Sequence, residues 1–210
     1  MSAALLSLTQ WLSPAFPLGA FAYSHGLETV ISSGTVTSAR ALEGWIADLV
    51  LNGSVQADAV LLVHVMEGGD PDRAAEFAAA LAGSAERWEE TRDMGAAFAR
   101  TLAEMGGAPV EPRPLPVALG LAARDLKLPA TTVAMLFLQS FAANQVSCAQ
   151  RAIPLGQAEA QAVLHRLSPV IADAAQQARH GNPARIASAA FGADMAAMAH
   201  EVLQPRMFRT

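Results

Sequence analysis

Thr131-Thr132-Val133-Ala134-Met135-Leu136-Phe137-Leu138-Gln139-Ser140-Phe141-Ala142-Ala143-Asn144-Gln145-Val146-Ser147-Cys148-Ala149-Gln150-Arg151 is the stretch that decides the fold. Drawn as a helix, it is apolar on nearly every face, the pattern of a helix buried inside a larger helical body. Its polar exceptions Gln139, Asn144 and Gln145 each need a hydrogen-bond partner if buried. Upstream, Leu42, Trp45, Ile46, Leu49 and Val50 recur at helical spacing and form one apolar stripe. Val55, Ala59, Leu62, Val63 and Met66 repeat it after an Asn52-Gly53 break, and Trp88, Thr91, Phe98, Leu102 and Met105 form a third, ended by Gly106-Gly107. Downstream of Pro154-Leu155-Gly156 comes a helix with Val163, Leu164, Leu167, Ile171 and Ala174, in which Ser168-Pro169 is either a kink or a cap and restart. His180-Gly181-Asn182-Pro183 reads as a stop, a cap and a new helix start. No stretch alternates as a strand would. The expectation is one all-α domain over residues 1–199, a bundle of roughly eight to ten helices at a mean length near 11–12 residues. Residues 200–210 lose periodicity, contain Pro205 and read as a C-terminal tail. Pro109 to Pro116 is the only candidate linker and is too short to separate domains.

Composition agrees. The 210 residues include 46 alanines, the strongest helix former. Hydrophobic residues at 52% against a net charge of −5 exclude disorder as the main state. The acidic balance and the absence of a basic stripe argue against nucleic-acid binding. Cys148 stands alone, so no internal disulfide forms, which fits a reducing cytoplasm. The run Val133–Ala143 falls short of the ~20 residues of a membrane span, and Met1–Leu6 lacks a basic signal-peptide start, so neither membrane insertion nor export is expected. With so few charges, exposed apolar patches are expected, and such patches mark interaction sites.

The chain carries little chemistry. Its one lysine, Lys127, follows Asp125-Leu126 rather than Gly, which excludes a P-loop. The histidines at 25, 64, 165, 180 and 200 are scattered, and no pair has metal-ligand spacing. Ala22-Tyr23-Ser24-His25-Gly26 is similar to a nucleophile elbow, but a loop precedes it where that motif needs a strand. His25 and Glu28 read as a surface pair three residues apart on a helix. Met195 and Met198 read as core filling, and Cys148 as a structural buried thiol. No catalytic constellation, cofactor site or metal site emerges.

The segment Ser13-Pro14-Ala15-Phe16-Pro17-Leu18-Gly19-Ala20-Phe21-Ala22-Tyr23-Ser24-His25-Gly26-Leu27-Glu28 resembles the S-P-x-x-P-x-G-x-F-x-Y-S-x-G-L-E signature of the UreF family of urease accessory proteins. Arg87 to Gly95 is similar to that family's R-x-x-x-x-R-x-M-G stretch, and Asn144-Gln145-Val146 with Pro154-Leu155-Gly156-Gln157 to its N-Q-V and P-L-G-Q patterns. His200-Glu201 and Arg206-Met207-Phe208-Arg209-Thr210 resemble its ending, with Leu203-Gln204-Pro205 where the family usually has Gln-Tyr-Ser. The resemblance implies a non-enzymatic, cytoplasmic, homodimeric protein. It further implies that the protein joins a UreD/UreH-like protein and the GTPase UreG to insert nickel into urease apoprotein. Nickel and GTP would be held mainly by those partners, with no intrinsic cofactor. It implies partner-binding residues at Pro14, Pro17, Gly19, Phe21, Tyr23, Ser24 and Glu28 in the first motif, and at Arg206, Phe208 and Arg209 in the tail.

Physically, Pro14, Pro17 and Gly19 make a stiff loop entering a helix near Ala20. Asn144 and Gln145 either satisfy backbone groups or each other, or line a polar passage or dimer seam. The tail, with one Phe between two arginines, has the composition of an interaction hot spot. It is expected to be mobile alone, to order on the UreD-like partner with Phe208 in the partner's pocket, and to be dispensable for folding. A rival function is supply of an arginine to the partner GTPase, with Arg206, Arg209, Arg87 and Arg92 as candidates.

Overall fold

A computed structural model describes residues 2–106 and 111–210, and its regular structure is helical throughout those residues. Ten α-helices are found among them: α1 Ser2–Trp11, α2 Leu27–Ser32, α3 Ala39–Asn52, α4 Ser54–Met66, α5 Pro71–Ala80, α6 Ala85–Glu104, α7 Leu115–Ala123, α8 Ala130–Ala152, α9 Gln157–His180 and α10 Phe191–His200. The all-α bundle expected from the sequence is the fold observed. Of the residues invoked above, Met1, Gly107 and Pro109 lie outside the described part.

Local chemistry sets the helix starts. Ser38 caps α3 by accepting from the Ala41 N–H, and Ser84 caps α6 by accepting from the Arg87 N–H. Asp70 accepts from the Asp72 and Arg73 N–H groups, with Pro71 in the first turn of α5, where its missing N–H costs nothing. Pro169 sits inside a continuous α9, so Ser168-Pro169 is not a restart. Asn182 does cap through its side chain, yet only a single 3-10 turn, Pro183–Arg185, follows.

α8 packs along α9 and against α4, and α3 packs on α9 and also touches α8. Among the 23 residues of α8 only Met135, Ser147 and Arg151 are exposed, as its sequence demands. α6 and α7 come close because Gly95 has no side chain: a Cβ there would collide with the Arg113 carbonyl and the Leu115 backbone nitrogen. Among the described residues, the one stretch long and apolar enough to cross a membrane is Ala39–Met66, not Val133–Ala143; it is broken at Gly53 into α3 and α4, and 61% of its apolar window is buried inside the fold. That burial is the mark of core helices.

Candidate functional site

The motif loop starts where α1 ends. Phe16 turns inward, its ring 5.9 Å from Phe98, which also meets Trp11 edge-on at 5.7 Å. Pro14 and Pro17 stay exposed. Gly19, at φ +75°, turns the chain into a single 3-10 turn, Ala20–Ala22, in place of the helix expected near Ala20. That turn points Phe21 outward, while Tyr23 and Ser24 are buried. Gly26 combines φ +80° with a close approach: a Cβ would stand 2.9 Å from the Ala197 backbone nitrogen, so glycine here lets α10 pack against the motif.

The tail is docked on that loop, contrary to the expected mobile segment. Phe208 is 4% exposed, held within the protein's own fold under the Arg151 guanidinium, whose centre lies 4.4 Å from the ring centroid. The Arg209 N–H donates to the Ala22 carbonyl at 2.7 Å, and the Ser24 N–H and hydroxyl both donate to the Thr210 carbonyl. The Thr210 hydroxyl donates to Glu90 Oε2 at 2.9 Å. Glu28 accepts from the Met207 N–H at 2.6 Å and the Phe208 N–H at 2.9 Å. Apolar periodicity within the tail carries no sign of this docking, because what holds the tail is polar groups and one aromatic slot supplied by distant segments.

Other expectations are corrected too. His25 and Glu28 are not a surface pair: both are buried, and His25 precedes α2 at φ +58°. Burial lowers the His25 pKa, Arg87 adds to this, and Glu90 opposes it. Burial would raise the Glu28 pKa, but the Met207 N–H, His200 and the Phe208 N–H outweigh it and hold it low. Arg87, one of the arginines considered for the GTPase, is 6% exposed and ion-paired to Glu90 at 3.0 Å and Asp58 at 3.4 Å. Desolvation raises Asp58 to about 6 despite Arg87; it would also raise Glu90, but Arg87 and His25 bring that group down to about 2. Asp58, Arg87, Glu90 and His25 border a cavity of about 70 Å³ whose other wall is Trp11, Phe98, Phe137 and Phe141. Among the described residues, Arg87 Nε and Thr91 Oγ1 find no hydrogen-bond partner.

Four segments far apart in the chain meet here. Asn144 of α8 donates to the Tyr23 carbonyl at 3.1 Å, and Arg151 donates to the Phe21 carbonyl at 2.7 Å. Gln145, fully buried, has no partner for either amide atom among the described residues, so of the two neighbours only Asn144 bonds backbone. From α6, Glu86 pairs with Arg206 at 2.5 Å and Asp93 with Arg209 at 3.6 Å, and Arg209 also reaches the Tyr23 hydroxyl. Cys148 is buried and its thiol is pushed up to about 11 by desolvation, which makes it inert, as expected of a structural thiol. Among the described residues no three His, Cys, Asp or Glu side chains converge to hold a metal ion.

Sequence comparison gives this assembly its context. The UreF family model matches residues 36–168. The chain is 54% identical to the urease accessory protein UreF of Cereibacter sphaeroides (strain KD131 / KCTC 12085) over 210 residues, all of both proteins. It is 51% identical to that of Jannaschia sp. (strain CCS1) over 207 residues, covering 98% of this chain and 94% of the relative. The chain belongs to the UreF family. The family model leaves out both ends, yet the full-length relatives match through them, and in the structure those ends build the site.

Beside the site lies an exposed apolar surface where core packing is expected from the sequence. Phe191, Met195, Met198 and Val202, spaced 4, 3 and 4 residues apart, share one face of α10 and its C-terminal turn, and all four are exposed, Phe191 at 71% and Val202 at 82%. Met195 and Met198 are therefore not core filling. Their spacing fits a helix face but does not tell inward from outward. The signal that could have done so is the run of small residues opposite, Ala193, Ala196 and Ala197, which is the buried side.

Proposed function

We propose that this UreF-family chain acts in urease maturation as a non-enzymatic co-chaperone. It scaffolds, as a homodimer, a complex with a UreD/UreH-like protein and a UreG-like GTPase that inserts nickel into urease apoprotein. Nickel is cargo in this reading, and nickel and GTP are held mainly by the partners. The observation that carries it is the convergence of motif loop and tail on one surface, continuous along the chain with the exposed apolar face of α10. An exposed apolar helix face, together with exposed Phe21 on the motif loop and the surface arginines Arg206 and Arg209 on the tail, has the make-up of a protein interface. Partner binding is thus assigned to Pro14, Pro17, Phe21, Arg206 and Arg209 at the surface. Gly19, Tyr23, Ser24, Glu28 and Phe208 act beneath it by holding loop and tail in place.

The test is co-purification with the UreD-like protein together with urease activation in cells. Met195→Glu combined with Phe21→Glu is expected to abolish capture and activation while leaving the melting temperature of the isolated chain unchanged. Full capture by the double variant refutes the assignment. The rival, arginine supply to the GTPase, loses Arg87 to burial, and Arg206 and Arg209 are engaged by Glu86, Tyr23 and Asp93. Arg92 lies alongside Asp93. Single Arg→Ala variants at 92, 206 and 209 are expected to leave GTP turnover by the GTPase unchanged.

A further inference from the structure

Arg87 and Thr91, one helical turn apart on α6, both border the cavity that Leu18 and Ala20 of the motif loop help to line, and both are buried, at 6% and 5% exposure. The terminal nitrogens of Arg87 go to Glu90 and Asp58, which leaves its Nε–H without an acceptor among the described residues; the Thr91 hydroxyl is likewise unpartnered there. Asp58 meets Arg87 through Oδ2 at 3.4 Å, so its Oδ1 is left to accept. This wall thus offers two donors and an acceptor, and it faces the rings of Trp11, Phe98, Phe137 and Phe141. The volume of about 70 Å³ is roughly half of the ~150 Å³ that encloses a benzene, which is room for about four non-hydrogen atoms. Asp58, Arg87 and Thr91 also border a void of about 10 Å³ against Ala57, Leu61, Ala78 and Leu81, with room for one water at most.

The walls select the chemistry of an occupant. The titratable groups on them are Asp58, Arg87, Glu90 and His25. His25, its pKa lowered by burial, is neutral above pH 7, so Asp58 and Glu90 set two negative charges against the one positive charge of Arg87. An anion would add a third negative charge. A cation would find Asp58 but leave the Arg87 Nε–H unpaired, and a purely apolar molecule would leave both donors unpaired. Water satisfies the donors yet finds few partners against the four rings. We propose that this cavity binds a small neutral molecule with an amide or hydroxyl head and an apolar end: its oxygen accepts from the Arg87 Nε–H and the Thr91 hydroxyl, its own N–H or O–H donates to Asp58, and its apolar end lies on the aromatic wall.

The experiment is a titration of the full chain at pH 7.5 with acetamide, which has four non-hydrogen atoms, followed by nuclear magnetic resonance. The Trp11 indole N–H and the Thr91 amide report the cavity, and the amide of Gly34, in an exposed turn, serves as the control. Saturable shifts are expected at Trp11 and Thr91 but not at Gly34, with a dissociation constant of about millimolar order, as befits so small a ligand. Acetate, of the same shape but negatively charged, should give no saturable shift. Thr91→Val keeps the shape and removes a hydroxyl that has no protein partner, so the variant should keep its melting temperature and bind acetamide at least about fivefold more weakly. Shifts that rise linearly to about 200 mM without saturating would mean that water alone meets Arg87 and Thr91, and would overturn the proposal. Equal saturation by acetate, or unchanged affinity in Thr91→Val, would overturn it as well.

Discussion

Phe208→Ala separates a docked tail from a decorative one. The side chain is almost fully buried and stacked under Arg151, so its removal takes away an aromatic's burial and one cation–π contact. Truncation of a buried Phe costs about 3–5 kcal/mol in a core. At a chain end the loss has a ceiling, because once it exceeds the docking free energy the tail detaches and nothing more is lost. We therefore take the lower end, about 3 kcal/mol, and at about 2–4 °C per kcal/mol for a chain of this size the melting temperature should fall by about 6–12 °C. The ceiling makes a second, sharper expectation: deleting Gln204–Thr210 should lower the melting temperature by nearly the same amount as Phe208→Ala. Phe208→Leu, which keeps most of the apolar volume, should recover more than half of the loss. The assay is a circular-dichroism melt at 222 nm on the three variants. A truncation that melts within 1 °C of the wild type refutes the reasoning, since docking would then contribute nothing. A truncation far worse than Phe208→Ala would shift the anchor from the ring to the backbone bonds at Ser24 and Glu28.

Three further outcomes follow from the same geometry. Glu90→Gln should destabilise by about 3 kcal/mol at pH 7, because buried Arg87 loses its closest carboxylate. Glu90 has its pKa lowered to about 2 by Arg87 and His25 against burial, so its contribution is complete above about 4.5 and disappears as the pH falls towards 2; urea unfolding of wild type and variant should converge over that interval. Gly95→Ala should reduce stability by more than about 3 kcal/mol or prevent folding, since the added methyl meets backbone at Arg113 rather than a yielding side chain; expression with a thermal melt decides it. Arg209→Ala should change stability by less than about 1 kcal/mol, because the side chain is largely solvent-exposed, yet weaken capture of the UreD-like partner in a pull-down.

Much of the fold was legible because the strongest signals were local. The apolar run over α8, the stripes of α3 and α4, and the caps near Gly181-Asn182 depend on neighbours in sequence. The site was not legible in the same way. Residues Arg87, Glu90 and Asp58 look like ordinary helix-surface charges until their partners, 29 residues away between Asp58 and Arg87, are known to be buried with them. The tail is illegible for the same reason: its stabilising contacts join residues far apart in sequence, from Arg151–Phe208 to Tyr23–Arg209 at 186 residues, and no short window of sequence contains both ends.

The buried charges also explain why residues that read as partner contacts divide into two kinds. A motif residue can matter to a partner by touching it, or by holding the backbone that does. Tyr23, Ser24, Glu28 and Phe208 are too buried to touch a partner while the tail is docked, and their bonds run to each other's segments. Phe21, Arg206 and Arg209 are exposed, and their positions are set by that buried layer. Substitutions in the two groups should consequently part company in one measurement. Glu28→Gln should loosen the tail, lower the melting temperature and weaken partner capture together, because a neutral amide accepts the Met207 and Phe208 N–H groups less strongly than a carboxylate. Phe21→Ala should weaken capture alone. Loss of capture in Glu28→Gln with tail protection and melting temperature intact would mean that Glu28 contacts the partner directly, and that the tail releases it on binding.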